Sequence, residues 1–185
     1  MISRELSMRE VATIVATRLK ECDVVVSVVG GSAVTLHAPE SYTSMDIDLA
    51  VLSGIERTKI DAALMSLGYT KSGRNYRHIE SPWTIDVVTD TPFIGRRAVA
   101  DFSVIATRYG EVHVLRIEDA LADRIAHFLY WSDSEALAVA EALAAVKRDE
   151  IDWDALDAAL DALEATSPDE LQRLAFARRR LRPAG

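Results

Sequence analysis

One cysteine, Cys22, stands in the whole chain of 185 residues. That excludes an internal disulfide framework and a zinc site built from cysteines. Histidine is scarce too: His37, His78, His113 and His127 share no ligand spacing, which argues against a histidine metal set. No apolar run approaches the roughly 20 residues of a spanning helix. The start Met1-Ile2-Ser3-Arg4-Glu5-Leu6 has no basic segment followed by an apolar core, so no leader peptide is expected. A cytoplasmic chain with no membrane contact is the expectation. Neither Gly-x-x-x-x-Gly-Lys nor Gly-x-Gly-x-x-Gly occurs, which removes the P-loop and the dinucleotide fingerprint. Excess positive charge is also missing. The net charge is -8, which opposes general affinity for nucleic acid.

That charge is uneven. Residues 149–170 hold nine acidic and no basic residues, whereas 171–185 hold Arg173, Arg178, Arg179, Arg180 and Arg182 and no acid. The acidic stretch reads as an amphipathic helix with a solvated face. The arginines read as a solvated helix end complementing the macrodipole.

Apolar patterning divides the chain into an α/β core at 1–116 and a C-terminal helical region at 117–185 packed on it. Residues 4–20 have helical spacing. Val24 to Val29 is a short β-branched run, as expected of a buried strand. Gly30-Gly31 breaks it, and Ser32 is placed to cap a short helix that ends at Pro39. Asp46 to Val51 reads as the second strand and 55–67 as a helix. Segments 76–79, 83–88, 102–107 and 112–115 read as further strands. Segments 118–146, 153–164 and 168–182 read as helices. The fold class is α/β (α+β), a mixed sheet with flanking helices. Trp131, Trp153, Phe128 and Tyr130 are expected to pack between helices. Asp123 and Arg124 are expected to form a helix salt bridge.

Two features carry chemistry. Val28-Val29-Gly30-Gly31-Ser32 ends the first strand, and after thirteen intervening residues comes Asp46-Ile47-Asp48. Residues i and i+2 of a strand share a face, so Asp46 and Asp48 are neighbours and Ile47 and Leu49 turn inward. Two such carboxylates raise each other's pKa, and a divalent cation removes that penalty. Magnesium suits oxygen ligands and substrate phosphates. Asp86 lies among apolar residues in Thr84-Ile85-Asp86-Val87-Val88, where an unpaired charge is costly. If its strand adjoins that of Asp46 and Asp48, three carboxylates converge and can hold two metals. Asp90 is a weaker candidate in a loop. Gly30 and Gly31 permit close backbone approach, and the N–H groups that open the next helix favour phosphate.

These residues resemble the polymerase-β-like nucleotidyltransferase superfamily: Gly30-Gly31-Ser32, Asp46-Ile47-Asp48 and Ile85-Asp86-Val87. The form Gly30-Gly31-Ser32-Ala33 is most similar to AbiEii-type toxins and uncharacterised bacterial nucleotidyltransferases. The resemblance implies a nucleotidyltransferase-type sheet. It implies transfer of a nucleoside monophosphate from an NTP to a hydroxyl of RNA, tRNA included, or of protein. Gly30, Gly31 and Ser32 would bind nucleotide. Asp46, Asp48 and Asp86 would hold Mg2+, with Asp86 also a general base. A toxin or defence role would bring a cognate antitoxin. Lys71, Arg74 and Arg77 are candidate phosphate or acceptor contacts among the basic residues of 71–97. A catalytically silent binding protein and an antibiotic-modifying enzyme are the alternatives.

Overall fold

The computed structural model describes residues 2–54, 56–89 and 91–182; Asp90 and Ile55 lie outside them. Seven strands form one sheet and two more form a separate hairpin.

The amino-terminal helix α1 (Met8–Lys20) starts in a capping box, in which Ser7 accepts from the Glu10 N–H and the Glu10 carboxylate accepts from the Ser7 N–H. Its face of Val11, Ala12, Val15 and Leu19 is buried. Strand β1 (Val26–Val28) leads directly into helix α2 (Gly30–His37). The helix is capped by Val29 without a side-chain bond, so Ser32 lies inside it rather than at its cap. Next come β2 (Asp46–Val51), α3 (Arg57–Ser66), β3 (Thr70–Ser72), β4 (Asn75–Arg77) and β5 (Thr84–Thr89). A hairpin of β6 (Phe93–Ile94) and β7 (Arg97–Ala98) follows, then β8 (Phe102–Thr107) and β9 (Gly110–Leu115).

The sheet runs β3-β4-β5-β2-β1-β9-β8. β2 and β5 are parallel neighbours, and β1 pairs antiparallel with β2 and parallel with β9. The mixed order puts β1, β2 and β5 at the centre, where Val28, Ile47, Leu49 and Ile85 are fully buried.

Four helices complete the chain: α4 (Ile117–Trp131), α5 (Ser134–Val146), α6 (Trp153–Asp161) and α7 (Pro168–Leu181). Residues 118–146, expected as one helix, are two. Ser132 takes a left-handed φ of 56° that ends α4, and Asp133 then caps α5 by accepting from the N–H groups of Glu135 and Ala136. α4 packs on α2 and on β9, and one apolar cluster runs from α1 to α7. The two charge runs of the C-terminal third answer each other. Arg178 pairs with Asp157 and Asp161 and Arg182 with Asp157, while Arg180 pairs outside the acidic run, with Glu141 of α5. The arginine-rich end is therefore tied down, not merely solvated. Among the described residues, no helix is long and apolar enough to cross a membrane.

Candidate functional site

The site is built where β1 turns into α2 against the middle of the sheet. Parallel pairing of β2 with β5 aligns Asp46 with Thr84 and Asp48 with Asp86. Antiparallel pairing of β4 adds Asn75 opposite Asp86. One row across three strands thus carries Asn75, Asp86 and Asp48. Asp46 lies two residues from Asp48 on the same face of β2.

Helix α2 fixes both aspartates of β2. The Ser32 hydroxyl donates to the Val29 carbonyl at 2.7 Å and accepts from the Asp48 N–H at 3.0 Å. Thr35 Oγ1 accepts from the Ser44 N–H at 2.9 Å, and the Ser44 hydroxyl donates to Asp46 Oδ1 at 2.9 Å. Ser32, Thr35 and Ser44 are all buried. Ser32, expected to bind nucleotide, turns its side chain toward β2. Its proton is bound to Val29, and its oxygen positions Asp48.

Gly30 has φ +62°, and a Cβ there would stand 2.7 Å from Asp48 Oδ2. Only glycine brings the backbone that close to the carboxylate. A Cβ on Gly31 would press on Tyr42 at 3.3 Å. The first N–H groups of α2 lack intrahelical acceptors, as at any helix start, and open beside these carboxylates.

The electrostatics are those of a row with too much negative charge. Burial, then Asp46, then Asp86 push the Asp48 carboxyl up to about 7, opposed by Arg124; Asp123 adds to the rise. Asp86 is 3% exposed, and its Oδ1 has no hydrogen-bond partner. Its other oxygen faces Arg74 Nε at 3.1 Å, although Arg74 itself is 76% exposed. Asn75 Oδ1 is a second buried acceptor without a donor. Among the described residues, no three histidine, cysteine or acidic side chains stand close enough together to encircle a cation. The three aspartates share face and register, while Asp86 is drawn to Arg74. A cation beside Asp86 Oδ1 would satisfy that orphaned acceptor and offset the repulsion at Asp48, but the three carboxylates are not gathered around one point.

The other basic candidates are elsewhere. Lys71 pairs with Asp61 at 2.8 Å, and Arg77 is exposed on β4, the strand beside β5. Arg96 pairs with Glu164 and Arg97 with Asp119. Asp123 and Arg124 do form the expected pair, at 2.5 Å, but on the part of α4 whose charges reach Asp48. Thr35, Ser44, Asn75 and Tyr42 were not singled out from the sequence. Only Ser44, two residues before Asp46, carried a signal, because a serine at that spacing can bond the carboxylate.

No family model and no curated protein matches the sequence. Solved structures do. The crystal structure of an antigenic nucleotidyltransferase-like protein from Paracoccidioides brasiliensis aligns with a TM-score of 0.54 and 15% identity, over 91% of this chain and 92% of that one. The solution structure of the antibiotic-resistance factor ANT(2'')-Ia aligns at 0.47 and 15% identity, over 93% and 91%. The chain shares the fold of the first, a nucleotidyltransferase-like fold with a mixed sheet and flanking helices.

Proposed function

We propose that this protein is a metal-dependent nucleotidyltransferase that moves a nucleoside monophosphate from an NTP to a hydroxyl. The observation that carries the reading is the alignment of Asp48 with Asp86 on adjacent parallel strands, with Asp86 Oδ1 buried and unpartnered. A divalent cation, Mg2+ by ligand chemistry, held by Asp46, Asp48 and Asp86 would supply charge neutralisation at the α-phosphate and at the attacking oxygen.

The chain's own residues supply the rest. The backbone of Gly30 and Gly31 offers N–H groups to the phosphates of the leaving pyrophosphate. The acceptor O–H attacks the α-phosphorus, the bond to pyrophosphate breaks, and the hydroxyl proton passes to Asp86. Ser32 and Ser44 hold Asp48 and Asp46 in place through these steps. Residues 1–116 would carry the transfer and 117–185 would frame its acceptor side. A toxin role with a cognate antitoxin rests on the Gly30-Gly31-Ser32-Ala33 resemblance alone. An RNA or protein acceptor rests on the superfamily resemblance.

The test is incubation with each α-labelled NTP, Mg2+ and total cell extract, followed by separation of labelled RNA, protein and small molecules. Asp46→Ala with Asp48→Ala abolishes label transfer while circular dichroism stays unchanged. Undiminished transfer by the folded double variant sinks the mechanism.

A further inference from the structure

α4 carries two features at once. It packs on α2, whose Gly30 opens against Asp48, and also on β6 of the hairpin. From Asp123 onward, the helix forms one wall of an open groove of about 360 Å³, with Phe93 and Arg96 of the hairpin opposite, and His127, Trp131 and Glu164. α4 thus borders both the helix that shapes the carboxylate row and the groove. That volume lies within the range of about 300–1,000 Å³ typical of small-molecule sites.

The aromatic residues are unusual for a surface. Trp131 is 68% exposed and Phe93 63% exposed, although Trp131 is expected from the sequence to be packed. The His127 ring lies 4.9 Å from that of Trp131 and tilted to it, and the Tyr130 ring stands edge-on to it at 6.0 Å. The hairpin wall is built in. A Cβ on Gly95 would lie 2.2 Å from the Ala162 carbonyl oxygen, so the turn sits directly against the end of α6. Arg97 ties β7 to Asp119 of α4, and Arg96 ties the turn to Glu164 at 2.6 Å. The groove therefore needs no rearrangement to exist.

Its charges are already matched. Asp123 is paired with Arg124, and Glu164 with Arg96. Among the described residues, no uncommitted arginine or lysine lines it for a polyanion, and the chain is net negative. What remains are two open aromatic faces and polar edges able to bond hydroxyls.

We propose that this groove binds an uncharged, hydroxyl-bearing ring compound of nucleoside or disaccharide size, stacked on Trp131 and Phe93, and that this compound is the acceptor. Its role as acceptor rests on the transferase reading; its binding does not. The ring lies on the aromatic faces, Asp123 and the Arg96–Glu164 pair bond its hydroxyls, and one hydroxyl is presented toward the carboxylate row.

The experiment is saturation-transfer NMR on the full chain without metal or triphosphate. The probes are the four ribonucleosides and maltose, which separate the nucleoside source from the sugar source, together with an oligouridylate. The expected result is binding of at least one neutral probe, weakened about tenfold by Phe93→Ala with Trp131→Ala. The same binding is retained by Asp46→Ala with Asp48→Ala. Because both aromatics are exposed, their removal leaves the fold intact by circular dichroism. No neutral probe binding, or binding indifferent to the aromatic pair, overturns the proposal. So does oligouridylate binding that the aromatic substitution abolishes. Since no metal or triphosphate is present, a negative result leaves nucleotidyl transfer standing. Absence of transfer with intact probe binding instead sinks the transferase reading and the acceptor role with it, and leaves the binding standing.

Discussion

Gly30→Ala isolates how the backbone approaches the carboxylate row. Two costs arise there. An L side chain at φ +62° meets the left-handed penalty of about 1–2 kcal/mol. The new Cβ also stands 2.7 Å from Asp48 Oδ2, and forcing a carboxylate aside in a packed site adds about 1–3 kcal/mol. The sum is roughly 2–5 kcal/mol, or a fall of about 5–15 °C in thermal midpoint for a chain of this size. Gly54 provides the control, because it has φ +85° and nothing within 4 Å of an added Cβ. Gly54→Ala carries the conformational penalty alone, about 1–2 kcal/mol. The second half of the reasoning is checked by a double-mutant cycle. In an Asp48→Ala background the offending oxygen is gone, so Gly30→Ala falls back to the cost of Gly54→Ala. The assay is chemical denaturation monitored by circular dichroism. A Gly30→Ala cost no larger than that of Gly54→Ala, or one unchanged by removing the Asp48 carboxylate, refutes the argument.

Other perturbations act on the same row. Asp48 has a folded pKa raised to about 7 against an ordinary 3.8, so its ionisation opposes folding. The penalty is absent below the ordinary value, grows as pH rises between the two, and is complete above about pH 7. Asp48→Asn therefore stabilises the chelator-treated protein, with an upper figure of about 4 kcal/mol near pH 8 and less than half of that near pH 5. An equal gain at both pH values, read from denaturation midpoints, contradicts it. Ser32→Ala removes the acceptor of the Asp48 N–H and costs about 1–3 kcal/mol in denaturation, with a loss of transfer despite a retained fold. Arg74→Ala leaves the buried Asp86 without its counter-ion. It costs about 1–3 kcal/mol in chelator, and Mn2+ restores more stability than it adds to the parent chain. Asp133→Ala removes the α5 cap and lowers stability by about 1 kcal/mol without affecting transfer, as thermal melts and labelling show together.

The central part of this fold was legible because its signals are local. A β-branched run ending in two glycines, and alternation that turns Ile47 and Leu49 inward, mark strands and the face of Asp46 and Asp48. The placement of Asp86 beside Asp48 was conditional on strand order, which no local pattern specifies; only the β2–β5 pairing settles it. Ser32 shows a different limit. Its position after Gly30-Gly31 suggests a cap, but the positive φ of Gly30 starts the helix earlier and turns the hydroxyl toward β2. The break at Ser132 was hidden in a continuous alanine- and leucine-rich run, since one left-handed residue leaves helical periodicity almost undisturbed on either side. The hairpin at 93–98 was too short for period-two alternation to show. The acidic and arginine-rich segments looked independent because their pairs are 17 to 25 residues apart in the chain.

The central claim, nucleotidyl transfer at the Asp46–Asp48–Asp86 row, is tested most directly by a paired-label measurement. The purified protein with Mg2+ and cell extract receives the same NTP labelled either at the α- or at the γ-phosphate. The account predicts that α-label becomes attached to an acceptor while γ-label leaves in pyrophosphate, and that Asp46→Ala with Asp48→Ala stops both. γ-Label on the acceptor, or α-label transfer undiminished in the folded double variant, contradicts it.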